Sequence, residues 1–149
     1  MTLTDEERAR RMEVAADLRT GRTMYELLGA ADGLRRIVDN FYDIMDSDAR
    51  IKPVRVMHKP DLGPMRDSLF EFFSGWLGGP NLYIEKHGSP CLTGVHMGYD
   101  IDDDARDLWL ECMQKAMEAA DVPLKYIEAL MPSLAEMAND MRVMLPPKI

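Results

Sequence analysis

Cysteine is scarce in this 149-residue chain: Cys91 and Cys112 are all it has. Two thiols make a poor disulfide framework and match no zinc spacing, which argues against a stapled secreted domain and against a zinc module. Long apolar runs are missing too, and none approaches the roughly 20 residues needed to cross a bilayer. The N-terminal TLTDEERARRMEVAADLR is charged throughout and has no signal-peptide core. Reduced thiols in a cytoplasm, away from membranes, are therefore expected. Basic charge is in deficit, with 18 basic against 26 acidic side chains and a net charge of -8. Nothing forms a basic stripe, so a nucleic-acid partner is not expected. The charge instead favours solubility. Strand-like alternation and internal repeats are also lacking. What remains is an all-α chain, 46% apolar, with enough length in one domain to bury about two-thirds of its unfolded surface.

Thr4 followed by Glu7 is a capping-box pattern. It predicts a first helix of about four turns, ending near Gly21, with a thin stripe of Met12, Ala15, Ala16 and Leu18. Residues 1–22 read as an N-terminal helical extension that either packs on the body or mediates self-association as a homodimer. Tyr25, Leu27 and Leu28 make a single turn ending at Gly29. From Leu34, apolar residues recur at Ile37, Val38, Phe41, Tyr42 and Met45, a one-face helical repeat. Asp46 to Pro60, with Pro53 and His58, reads as short turns.

Pro64 suits the first turn of a helix whose buried face is expected to be Met65, Leu69, Phe72, Phe73 and Trp76. Gly78-Gly79-Pro80 is a hard stop, since glycine supplies the left-handed residue that ends a helix and proline cannot continue one. A short amphipathic piece follows, Leu82 to His87, and Gly88-Ser89-Pro90 breaks the chain again. His96 comes soon after, in a segment too short and glycine-interrupted for a core helix. The acidic run Asp100 to Asp104 offers N-caps and favourable charge to a helix presenting Ala105, Leu108, Trp109, Cys112, Met113, Ala116, Met117 and Ala120. Asp121-Val122-Pro123 ends it. A last helix carries Ile127, Leu130, Met131, Leu134, Met137, Ala138 and Met141, and Pro132 inside it predicts a kink or break.

The order WLGGP, Tyr83, a Gly-x-Pro turn, His96 and then RDLWLECM resembles the group II truncated haemoglobins. The likeness extends upstream through YELLGAADG, FYDIMD and MHKPDL and covers roughly Met24 to Val143. It implies a 2-over-2 helical sandwich over residues 23–145, preceded by the extra helix and followed by a short tail, 146–149. It also implies a b-type haem (iron protoporphyrin IX) with His96 as the iron's proximal ligand. Tyr42, His58 and Trp109 match the distal donors, with His58 serving the ligand or Tyr42 and not the iron. Leu69 and Met65 match the pocket's inner wall and mouth, Met65 as a flexible gate. Phe72, Phe73 and Leu108 would supply apolar contact, and Tyr83 would lie beside the cofactor.

The pattern departs from the family around the proximal histidine. Where relatives carry basic residues before it, this chain has Thr93-Gly94-Val95, and the family's Gly-His-Pro is Gly88-Ser89-Pro90. Anchoring of the propionates then falls to Tyr83, Lys86, His87 or Arg66. Without the resemblance, each site residue has a plainer reading: Tyr42 and Trp109 as amphipathic core, His58 as an exposed turn residue, Cys112 as a buried thiol and Cys91 as an exposed one. The implied function is binding of dioxygen or another diatomic ligand, with nitric oxide or peroxide chemistry or sensing favoured over oxygen transport. Whether the protein is an enzyme, and with which reductase, stays open. The rival is a globin-like interaction or regulatory module without functional haem.

Overall fold

Thr4 opens the first helix with both halves of its capping box in place. Its hydroxyl accepts from the Glu7 N–H at 3.1 Å, and the Glu7 carboxylate accepts from the Thr4 N–H at 2.9 Å. The computed structural model describes residues 2–88 and 102–143, with side chains through residue 139. Helix α1 spans Asp5–Arg19. A second capping box, Thr23 with Glu26, starts the single turn α2, Met24–Leu27. Helix α3, Ala30–Ser47, buries Leu34, Ile37, Val38, Phe41, Tyr42 and Met45, the face its periodicity predicts. The stretch read as short turns holds a 3-10 turn, Ala49–Ile51, and α4, Lys52–Arg55. Helix α5 is Gly63–Trp76, with Pro64 in its first turn, and α6 is Leu82–His87. Helix α7 runs Asp103–Ala119, with the Asp102 carboxylate accepting from the Ala105 N–H at 2.8 Å. Helix α8 is Leu124–Val143.

Helices α3 and α5 pair, α7 and α8 pair, and α3 lies on α7, so one helix pair is laid on the other. Among the described residues there is no strand, and no helix is long and apolar enough to cross a membrane. The core between the pairs is built from Phe41, Met45, Ile51, Cys112, Met113 and Met117, all essentially sealed from solvent.

Three expectations need correction. Trp76 is not on the buried face of α5 but 37% exposed. Phe73, Ser74 and Leu77 set the inward face at this end of the helix, and the Ser74 hydroxyl donates to the Pro80 carbonyl at 2.7 Å. Trp76 is left on the flank, leaning on Phe73 with ring centroids 5.6 Å apart.

Pro132 does not break the last helix, which runs through it without interruption. Proline removes one backbone bond, but here it sits on the exposed side. Leu130 and Leu134, on either side of it, are both buried, so packing holds both halves on the core.

The thin stripe of α1 is not what docks it: Met12, Ala15, Ala16 and Leu18 are all exposed, and Val14 is the buried residue. The helix is held along α8 by polar contacts. Arg10 meets Glu128 at 2.7 Å, Lys125 meets Asp17 at 3.0 Å, and the Tyr126 hydroxyl donates to Asp17 at 2.7 Å.

The glycine stop folds as its chemistry demands. Gly78 adopts φ +92°, and the N–H of Gly79 closes the helix end on the Ser74 carbonyl at 2.7 Å. Gly79 also lets α2 in. A Cβ there would lie 2.5 Å from the Tyr25 ring, and Tyr25 donates its backbone N–H to the Leu77 carbonyl at 2.9 Å.

Candidate functional site: a row of aromatic side chains

Periodicity turns Phe41 and Tyr42 of α3 inward together, and α7 brings Trp109 and Cys112 against them. Phe41 meets Tyr42 at 5.0 Å between ring centroids and 81° between planes, and Trp109 at 5.5 Å and 66°. On the far side of Tyr42 is His58, edge to face at 6.1 Å. The row therefore runs His58, Tyr42, Phe41, Trp109, gathered from a turn and two helices. Three of its four members are the predicted distal residues.

Tyr42 is only 5% exposed, and burial pushes its phenol well above the ordinary tyrosine value, with the Arg66 charge opposing the shift. The hydroxyl is therefore neutral and keeps its proton to donate. Buried tyrosine and tryptophan normally find a partner for their polar tip. Among the described residues the Tyr42 hydroxyl and the indole N–H of the half-buried Trp109 make no hydrogen bond, and neither is a sealed atom, since the buried side-chain atoms without a partner are on Glu71 and Glu111. Two donors in one row, both without an acceptor, fit a pocket whose occupant carries partial negative charge.

The family comparisons agree with this geometry. The profile of the bacterial-like globin family matches residues 23–143. The chain belongs to the bacterial-like globins. A curated relative, the group 2 truncated haemoglobin YjbI of Bacillus subtilis, is 36% identical over 94 residues, covering 63% of this chain and 68% of that protein. The cold-adapted truncated haemoglobin of Pseudoalteromonas haloplanktis TAC125 shares 42% identity at a TM-score of 0.77, over 85% of this chain and all of that one. The group II 2-on-2 haemoglobin of Agrobacterium tumefaciens is 31% identical at a TM-score of 0.78, over 81% of this chain and 94% of that one. The group II truncated haemoglobin resemblance read from the motifs is thereby shown, and so is the all-α 2-over-2 architecture. Helix α1 precedes the family match.

In this globin, Met65, Leu69 and Phe72 of α5 and Leu108 of α7 are half-buried and packed against the core, while Phe73 is sealed within it. Half-burial leaves apolar surface available to a flat apolar group. Phe72 meets Tyr83 edge-on at 6.1 Å, and both line a cleft of about 190 Å³ between α5 and α6. His58 gives one ring nitrogen away: its Nδ1 is 2.9 Å from the Val54 carbonyl. A carbonyl only accepts, so that nitrogen carries a proton.

Arg66, Lys86 and His87, expected at the propionates, already have carboxylate neighbours. Arg66 pairs with Asp43 at 2.7 Å and Asp39 at 3.2 Å, while Lys86 and His87 both meet Glu71, at 3.1 and 3.3 Å. His96 lies outside the described residues, as do Cys91 and the Thr93-Gly94-Val95 segment. Among the described residues no cluster of three metal-ligating side chains occurs.

Sequence reasoning treated Phe41 as one more apolar position. It is the ring that both donor-bearing side chains touch, and its position beside Tyr42 on the buried face was the available signal. Cys112, read as a buried thiol, is one: it is fully buried and donates to the Phe41 carbonyl at 3.2 Å.

Proposed function

We propose that this globin holds haem b through His96 and takes up dioxygen or another diatomic ligand on the side faced by Tyr42, Trp109 and His58. The observation that carries the reading is the pair of unpartnered donors, Tyr42 and Trp109, set on either side of Phe41. Haem, when bound, supplies the iron that receives the ligand. Met65, Leu69, Phe72, Phe73 and Tyr83 give it apolar contact, and Met65 serves as a gate. At about 1–2 kcal/mol for each donor, two hydrogen bonds to a partly negative ligand slow its release by roughly 10²-fold. Such slow release suits sensing, or redox chemistry on nitric oxide or peroxide with a reductase partner, better than oxygen transport.

The test begins with the purified protein, which should absorb strongly at about 400 nm, as His-ligated haem does. His96→Ala should lose the haem or change its ferrous spectrum. Tyr42→Phe and Trp109→Phe should each speed dioxygen release about tenfold in stopped flow. Normal release in both variants would overturn the distal assignment. One observation favours a second reading, a haem-free interaction module: Arg66, Lys86 and His87 already hold carboxylates. Failure of the chain to take up added haemin would establish it.

A further inference from the structure

A ladder of charges zips α3 to α5 along one edge. Asp67 holds Arg35 at 2.7 Å, and Arg35 reaches Asp39 at 3.8 Å. Asp39 and Asp43 then grip Arg66 between them. Residues 35, 39 and 43 occupy successive turns of α3, so the ladder is a product of helical spacing. Its last rung is the most fully built. Arg66 Nη1 donates to the Asp39 carbonyl at 3.1 Å and to the Asp39 carboxylate at 3.2 Å, and Nη2 donates to Asp43 at 2.7 Å. The guanidinium held this way sits 5.8 Å from the centroid of the Tyr42 ring, within the range where a cation is attracted to an aromatic face. Phe41 meets the same ring edge-on. Tyr42 is thus held by a sealed aromatic neighbour and by a cation whose own position is fixed by three acceptors.

We infer that Arg66 is a positioning residue that locks the Tyr42 ring and so fixes where its hydroxyl points. The geometry also explains the choice of arginine. A planar fork can serve both carboxylates while its face lies near the ring, and a lysine ammonium cannot do both. The consequence for ligand release rests on the haem reading above, whereas the locking of the ring does not.

Two measurements test the inference separately. The first is aromatic NMR of Tyr42, assigned by comparison with Tyr42→Phe, in the protein as purified. Slow ring flipping is expected in the parent chain and fast flipping in Arg66→Gln. Asp43→Asn, a change at an exposed carboxylate that leaves the Arg66 charge in place, should move the ring the same way by less. Equal flipping in all three proteins would overturn the inference, whether or not the chain carries haem.

The second is a double-mutant cycle on dioxygen release. Arg66→Gln should speed release about fivefold in the parent chain and leave it unchanged in Tyr42→Phe. An equal acceleration in both backgrounds would mean that Arg66 acts on the fold or the cofactor and not through Tyr42, and would also overturn it. A chain without haem would fail the functional reading and leave the ring-flip result to decide this one.

Discussion

Phe41 and Trp109 meet edge-on with ring centroids 5.5 Å apart, although one belongs to α3 and the other to α7. Phe41 also meets Tyr42, so one ring touches both donor-bearing side chains. Phe41→Leu keeps an apolar residue but removes the ring edge. It should cost about 1–2 kcal/mol in urea denaturation with an unchanged slope. It should also speed dioxygen release while both donors are still present. Unchanged release would mean that the donors hold their places without that ring.

Burial pushes the Cys112 thiol up to about 12, so in the folded protein it is a thiol and not the reactive thiolate. Iodoacetamide at about pH 8 should leave Cys112 unmodified in native protein and label it after denaturation, as peptide mapping would show. Because the folded value is raised, its contribution to stability is complete below the ordinary thiol range and is lost as pH climbs toward about 12. The buried Tyr42 phenol acts in the same direction. Alkaline unfolding should therefore shift to higher pH in Cys112→Ala.

Helix α1 should be releasable without unfolding the globin body, because its docking on α8 is mostly polar. Asp17 is held below the usual carboxylate range by its hydrogen bonds to Tyr126 and Lys125. Its contribution is thus present above the ordinary carboxylate value and lost as pH falls through the lowered one. Lys125 and Tyr126 are both raised by Asp17, so theirs disappears as pH rises through the raised values. Amide exchange in α1 should accelerate in acid and in strong alkali, and also at high salt. Asp17→Asn should reproduce the acid behaviour at neutral pH, and equal protection in that variant would rule the pairing out as the docking contact.

Gly79→Ala should cost about 1–3 kcal/mol, since the added Cβ lands on the base of the Tyr25 ring, which cannot swing aside as a flexible tip would. The cost should shrink when Tyr25→Leu is added, a coupling visible in paired melts. Additive losses would show that the strain lies in the backbone and not in the ring contact.

The helices were legible because each is written in local terms. The Thr4 and Asp102 caps, the Pro64 start, the Gly78 stop and the period of Leu34, Ile37, Phe41 and Met45 all act within a turn or two. Trp76 was misread, and the break allowed for at Pro132 is absent, for the complementary reason. Which flank of a helix end faces inward, and whether a missing hydrogen bond breaks a helix, depends on what packs there from distant sequence.

The same division runs through the site. The sequence by itself determined the family motifs and the residue types: a phenol on α3, an indole on α7, a histidine in the turn after α4. Only the tertiary structure decided that Tyr42 and Trp109 share one row with Phe41 between them. It also decided that neither donor meets an acceptor among the described residues, and that Arg66 turns to Asp39, Asp43 and the Tyr42 ring. A side chain's intrinsic chemistry is carried by the residue. Whether its proton is already spent depends on partners more than twenty positions away, as Arg66 is from Asp43, and only folding brings those together.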